Sequence, residues 1–366
     1  MKRTAKICVL LLLMLLAACS IEVSDTTPAA QSDVTPGPIP AFTLRAPTAA
    51  AHQQRTPPPW ANLKLSGHLI YVQIPRQIVK LDLVSGQQTI LFEAPGNGFV
   101  SAAQVSPDGK WIVMAYAPPK DPSLQSINAD LYVLPAAGST APQVLLQRAD
   151  SKEDYFNPVW SADGKYVYYS HLMPDLGGDR KYTNFKYDLE RVAYPGGQPQ
   201  KLIDNAFWPR LSPDGSKLAY VSFVPSTNSN DLYIADADGS DSKLVMPAGA
   251  FFAVDAPLFS RDGQTILFSA VGEPQVSSLS WLDQLMGVQV AEAHTVPSDW
   301  WRVSINGGKP EQLTHVNDTG MYADFASDGQ HVAFVSLSGV FVMKPDGSNL
   351  TQLVKDAVGG TVSWTP

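Results

Sequence analysis

Short runs of β-branched and aromatic residues punctuate the chain from Gly67 to its end, and most are entered through one recurring polar turn. After Gly164 the chain reads Lys-Tyr-Val-Tyr-Tyr-Ser, and after Gly215 Ser-Lys-Leu-Ala-Tyr-Val-Ser. After Gly263 it reads Gln-Thr-Ile-Leu-Phe-Ser, and after Gly329 Gln-His-Val-Ala-Phe-Val-Ser. Runs of this length and composition predict strands whose side chains alternate between a buried and an exposed face. A second set is as regular: Asp130-Leu-Tyr-Val-Leu134, Asp231-Leu-Tyr-Ile-Ala235, Trp301-Arg-Val-Ser-Ile305 and Gly339-Val-Phe-Val-Met343. A Gly-bearing turn and a further run come next, such as Lys243-Leu-Val-Met246, Glu311-Gln-Leu-Thr314 or Thr351-Gln-Leu-Val354.

The turn itself occurs five times: Val105-Ser-Pro-Asp-Gly109, Trp160-Ser-Ala-Asp-Gly164, Leu211-Ser-Pro-Asp-Gly215, Phe259-Ser-Arg-Asp-Gly263 and Phe325-Ala-Ser-Asp-Gly329. Asp bonds its own backbone and Gly takes the left-handed conformation that returns the chain. Four short strands per period of about 50 residues predict an all-β fold, a β-propeller. The stretch Gly67–Val72, Ile78–Asp82 and Gln88–Phe92 supplies three strands and lacks an inner one, while Thr361-Val-Ser-Trp-Thr-Pro366 matches an inner strand and stops where the turn would begin. The expectation is a six-bladed ring closed by the C-terminal strand in the first blade, which removes exposed sheet edges.

The run Ser212-Pro-Asp-Gly-Ser-Lys-Leu-Ala-Tyr-Val-Ser222, followed by Asp231-Leu-Tyr-Ile-Ala-Asp-Ala-Asp-Gly239, resembles the TolB-type propeller repeat of periplasmic and surface proteins. The resemblance covers most of the chain after Trp60 and implies the propeller fold and envelope protein interactions. It departs from TolB at the N-terminus, where a two-layer α/β domain is replaced by a Pro-rich stretch, so the same partners do not carry over.

Lys2, Arg3 and Lys6 precede an apolar run from Ile7 to Leu16 that is too short to span a bilayer, and Leu16-Ala-Ala-Cys19 has the form of a lipobox. Residues 1–18 are expected to be a lipoprotein signal peptide and Cys19 the lipidated residue, placing the protein outside the cytoplasm on a bacterial membrane, periplasmic or at the cell surface. Residues 19–60 are rich in Pro, Thr and Ala and read as a disordered linker, with residues 61–366 as the propeller. As a flexible coil the linker spans about 35 Å, and as polyproline II about 120 Å. Cys8 and Cys19 are the two cysteines, so the mature domain has no thiol for a disulfide or a nucleophile. Losing the three basic residues leaves 23 basic against 34 acidic, a net charge near −11, which argues against nucleic acid as a partner.

The longest gaps between strands are Pro118–Ala129, Leu172–Phe185 and Gly272–Asp299, all second-to-third connections that build up one face. Beside them sit Asp154-Tyr155-Phe156-Asn157, Phe207-Trp208, Phe251-Phe252 with Asp255, and Met321-Tyr322-Ala323-Asp324. Aromatics next to carboxylates and an amide around a channel mouth suit a small polar ligand or a protein partner. Gln104, Arg210 and Asp324 occupy equivalent inner-strand positions and are expected to line the channel. Ser278–Met286 spaces Leu279, Leu282 and Met286 as one short amphipathic helix, with Trp281 on it as a docking or covering residue. No nucleophile elbow, phosphate loop or zinc motif occurs, and no catalytic, metal or cofactor site is assigned. His171 and His294, placed in or beside the face-building loops, carry the alternative, a channel-metal lyase or hydrolase acting on a carbohydrate or ester; His315 and His331 are expected at the surface. The reading is a membrane-anchored, non-catalytic binding or protein-interaction scaffold.

Overall fold

A computed structural model describes residues 57–119, 128–138, 141–176, 182–271 and 296–366, apart from 225, 228 and 357. Apart from one 3-10 turn at Ala61–Leu63, its regular structure is all strand. The first strands are β1 (His68–Gln73), β2 (Gln77–Asp82) and β3 (Gln88–Glu93). A four-stranded sheet follows from β4 (Phe99–Val105), β5 (Trp111–Ala117), β6 (Asp130–Pro135) and β7 (Gln143–Leu146). Another holds β8 (Asp154–Trp160), β9 (Tyr166–Leu176), β10 (Tyr182–Ala193) and β11 (Gln200–Asp204). An eight-stranded sheet contains β12 (Ala206–Leu211), β13 (Lys217–Val224), β14 (Ser229–Asp236), β15 (Lys243–Leu244), β16 (Ala253–Phe259), β17 (Thr265–Val271), β18 (Asp299–Ser304) and β19 (Glu311–Gln312). The next sheet is β20 (Tyr322–Phe325), β21 (Val332–Ser336), β22 (Gly339–Met343) and β23 (Thr351–Val354). Finally β24 (Val358–Thr365) pairs antiparallel with β1, Thr365 opposite His68 and Val358 opposite Gln73, and completes the first sheet.

Hydrophobic clusters lie between consecutive sheets and lead back to the start. Ile70, Val72 and Ile78 meet Ile112 and Met114; Val113 and Leu131 meet Val167 and Tyr169. Leu189 meets Leu218 and Tyr220, Leu232 and Ile234 meet Ile266 and Phe268 between the two halves of the eight-stranded sheet, and Leu267 and Trp300 meet Val332 and Phe334. Val335 and Val340 then meet Leu69 and Tyr71 of the first sheet. The result is a ring of sheets with the fold of a propeller. Stacking on both sides explains one departure from expectation. Second strands such as β5 and β21 are buried along nearly their whole length and do not alternate, because each sheet has no solvent face. The outer strand β3 keeps exposed residues at its start.

Other differences are local. The Leu172–Phe185 connection is largely not a loop: β9 and β10 run on as a long hairpin, with Met173 opposite Lys186 and Pro174 opposite Phe185. His171 is therefore a strand residue, opposite Asp188 and Tyr155. The third strand expected at Trp301–Ile305 begins at Asp299, and the outer strand at Lys243 has two residues.

The Ser-x-Asp-Gly turn shows why the motif recurs. Ser106 Oγ donates to Asp108 Oδ1 (2.6 Å), the Lys110 N–H donates to the same oxygen (3.1 Å), and the Trp111 N–H closes back on Ser106 Oγ (3.0 Å). Gly109 sits at φ +71°, where a Cβ is disfavoured. The same bonds hold Asp163, Asp214 and Asp262. Their serine and backbone donors keep all four carboxyls below the usual aspartate range, Asp163 and Asp214 at about 2.

Candidate functional site

The inner strands β24, β4, β8, β12, β16 and β20 surround the channel. Three of them carry the same bulge: Asn157, Trp208 and Ala256 stand at φ 49°, 54° and 47°, each just before a proline, and the register slips there. Left-handed φ at non-glycine residues is strained by about 1–3 kcal/mol, and a bulge re-aims its side chain. Gly360, at φ +67°, is the corresponding feature of β24; a Cβ there would lie 2.1 Å from the Ser101 carbonyl oxygen. Side chains then lace neighbouring inner strands together. Thr361 Oγ1 accepts from the Ala103 N–H (2.9 Å), Gln104 Oε1 accepts from the Trp160 N–H (2.7 Å), and Asp324 Oδ2 accepts from the Trp364 N–H (2.9 Å).

Across the channel Arg210 and Asp324 form a partly buried ion pair at 2.7 Å, and the Tyr322 hydroxyl donates to Asn157 Oδ1 at 2.9 Å. The structure thus brings together Arg210 and Asp324, two of the three expected channel residues, and Tyr322 and Asn157 from the expected channel mouth, while Gln104 accepts the Trp160 N–H. Arg210, Tyr322 and Asn157, with Trp208 and Thr361, line a space of about 20 Å³, and beside the turns Gln104, Trp160 and Arg210 line another of about 150 Å³.

The remaining expected residues serve mainly the packing of sheets. Asp154 accepts the Ala129 N–H (2.6 Å), Tyr155 is buried edge-on against Tyr169 and His171, and Phe156 meets Tyr187. Phe207 and Trp208 are buried edge to face, and the Trp208 N–H donates to Ser170 Oγ. Asp255 is fully buried opposite Ser269. Phe251 packs on Phe268 and Trp301, and Met321 is core. His171 is held between two carboxylates, Nδ1 3.1 Å from Glu190 and Nε2 3.6 Å from Glu153. Tyr169 also donates to Glu190 (2.6 Å). Burial pushes the Glu190 carboxyl up, but the bonds from His171 and Tyr169 outweigh it and hold the carboxyl below its usual range. Among the described residues no group of three or more His, Cys, Asp or Glu is placed to hold a metal. His315 bonds Gln312, and His331 stacks on Trp364. Cys19, the linker to residue 56, Trp281, the 278–286 segment and His294 lie outside the described residues.

Sequence reasoning missed a groove on the opposite face, where the Asp-Gly turns lie. Trp111, Trp160 and Tyr194 line a space of about 360 Å³ together with Asp108 and Asp163. The readable signal was that aromatic residues occupy the positions flanking adjacent turns; Tyr194, far along the chain, carried none.

The fold and channel define a propeller-class protein, a ring of antiparallel sheets around a narrow polar centre. Its solved likenesses include TolB structures. A TolB protein from Agrobacterium tumefaciens has 19% identity and a TM-score of 0.53, covering 82% of this chain and 98% of that one. TolB from Acinetobacter baumannii gives 17% and 0.56, covering 82% and 67%. A chain of a nidogen/laminin complex gives 11% and 0.56, covering 81% and 98%. At these identities the likeness is one of fold: this chain has a TolB-like propeller fold. No protein-family model and no curated protein sequence matches it.

Proposed function

We propose that this chain is a lipid-anchored, extracytoplasmic propeller of six blades that serves as a non-catalytic binding or protein-interaction scaffold. The observation that carries the reading is the filled centre. Arg210 pairs with Asp324 and Tyr322 with Asn157, and the space that Arg210, Tyr322 and Asn157 line is about 20 Å³, room for roughly one water, so the ring offers its outer faces to partners. The count of six treats the eight-stranded sheet as two blades, because its halves are joined by the single parallel pair Asn230 and Ala253 while a hydrophobic cluster packs between them. Closure by β24 is supported by its pairing with β1 and its side-chain bonds to β4. Cys19 after Leu16-Ala-Ala supplies the anchor and residues 19–60 the stalk. The partner face is the one carrying the long second-to-third connections, with Asp154, Trp281 and His294 among its residues.

The test is metabolic labelling of the full chain, expressed in bacteria, with a radioactive fatty acid, followed by crosslinking in intact cells. Label and membrane association that both vanish in Cys19→Ser, with a discrete protein adduct for the anchored form, are expected. An unlabelled protein overturns the anchor, and the absence of any adduct overturns the scaffold.

A further inference from the structure

The groove on the Asp-Gly-turn face, between the sheet of β4–β7 and that of β8–β11, contains none of the residues anticipated for binding. Its three rings come from separate stretches: Trp111 opens β5, Trp160 ends β8, and Tyr194 follows β10. Trp160 is the fixed wall, buried, with its indole N–H donating to the Gln104 carbonyl (3.2 Å). The Tyr194 ring stands between the two indoles, 4.9 Å from Trp160 at 78° and 6.0 Å from Trp111 at 56°. Trp111 and Tyr194 are half-buried, so each leaves ring surface open to water.

The rim is as ordered as the wall. Asp108 and Asp163 each spend Oδ1 on a turn serine and a backbone N–H, which fixes the carboxylate. Each Oδ2 faces an exposed lysine, Lys110 at 3.2 Å and Lys165 at 3.0 Å. The groove therefore offers aromatic faces and two fixed acceptors, whose formal charges the exposed Lys110 and Lys165 balance from outside its lining.

We infer that this groove binds a neutral saccharide of one or two hexose units. A pyranose has an apolar face of C–H bonds that suits an aromatic ring, and a belt of hydroxyls that both donate and accept. The space of about 360 Å³ is of small-molecule size. An organic cation would find ring faces too, but it would meet Lys110 and Lys165 already seated on the carboxylates. An anion would meet the carboxylates and the electron-rich ring faces. The inference is independent of the anchor, the blade count and the partner face, so its failure leaves the scaffold reading standing.

The experiment titrates the full chain in detergent with cellobiose, maltose and N,N′-diacetylchitobiose, reading tryptophan fluorescence and saturation-transfer NMR, with tetramethylammonium as the competing cation. Saturable binding of at least one sugar in the millimolar range is expected, weakened about tenfold or more by Trp111→Ala. Ala162→Arg, which places a long side chain in the groove from an exposed position, is expected to abolish binding without disturbing the core. No saturable binding of any of the three sugars overturns the inference. So does sugar binding that both variants leave unchanged, or displacement of the sugar by tetramethylammonium at lower concentration.

Discussion

Two grooves on the Asp-Gly-turn face are built from equivalent positions and end as different surfaces. At one, β8 ends in Trp160, and the neighbouring turn leads into Trp111. At the other, Trp364 stands one residue before the end of β24, and the turn of the adjacent sheet leads into His331, which stacks on the indole at 6.2 Å and 29°. The first groove keeps an intact turn on each side, hence two fixed carboxylates, and adds Tyr194. The second has one turn carboxylate, Asp328, and where the other turn would be the chain ends at Pro366, beside Ser66 and Gly67. Leu83 holds the place of Tyr194: each takes a backbone bond from its N–H to the carbonyl just before the neighbouring strand, Gly67 for Leu83 and Lys165 for Tyr194. The scaffold gives both grooves the same walls. Two side-chain differences, Trp111 against His331 and Tyr194 against Leu83, separate the platform of rings from the seam.

The seam is where the comparison breaks most easily. Thr361 and Ser363 bond the backbone of β4, Trp364 bonds Asp324 and Ser66, and the strand covers Leu69 and Tyr71. Removing residues 361–366 strips all of this at once and exposes an edge of β1. The expected outcome is loss of cooperative thermal unfolding for the whole domain, measured by circular dichroism and calorimetry. A truncated protein that melts like the full chain would show that the seam contributes nothing. Deleting one indole from each groove sharpens the contrast. Trp160→Ala and Trp364→Ala each empty a buried site and are expected to cost about 3–5 kcal/mol in denaturant unfolding. Only Trp160→Ala should also alter the groove lined by Trp111 and Tyr194, read by sugar titration. Equal effects of the two on sugar binding would erase the distinction.

The seam was legible in the sequence and the platform was not, for a physical reason. An inner-strand pattern at Thr361–Pro366 facing a blade that lacks one is a local signal that period and turn chemistry reveal. A groove between sheets depends on three residues separated by most of two repeats, and nothing local marks them as neighbours. The same limit explains the residues beside the inner strands. Gln104, Arg210 and Asp324 could be assigned to the channel by their equivalent positions, but not that Arg210 and Asp324 meet at 2.7 Å while Gln104 takes the Trp160 N–H. Tyr155, Phe207 and Trp208 were placed at the same rim, yet Tyr155 and Phe207 turn into the packing between strands, and Trp208 packs there while also lining the central space. The bulges before Pro158, Pro209 and Pro257 re-aim Asn157, Trp208 and Ala256, and register slip cannot be read from alternation. Strands buried on both faces removed the alternation as well.

The smallest effect concerns the turns themselves, which supply the carboxylates of one groove and half of the other. Four turns have Ser at the first position; the one beside the seam has Ala326, and Arg261 from the neighbouring turn donates instead to the carbonyls of Ala326 (3.0 Å) and Phe325 (2.7 Å). Ser161→Ala removes the donor to Asp163 and the acceptor for the Tyr166 N–H, worth about 1 kcal/mol near neutrality. Because the Asp163 pKa is depressed from 3.8 to about 2, with the Ser161 bond the largest cause, its stabilisation is complete above about pH 4 and disappears as pH falls through about 2. The gap between Ser161→Ala and the parent protein should therefore narrow across that window in acid unfolding curves. Solvent screening at this exposed carboxylate keeps the narrowing below the neutral-pH difference. Ala326→Ser runs the comparison in reverse, offering Asp328 and His331 the hydroxyl that the other turns have, and is expected to add about 0.5 kcal/mol with a steeper acid limb. A variant no more stable than the parent at neutral pH and no steeper in acid would mean that the Arg261 bonds already do at the seam what serine does at the platform.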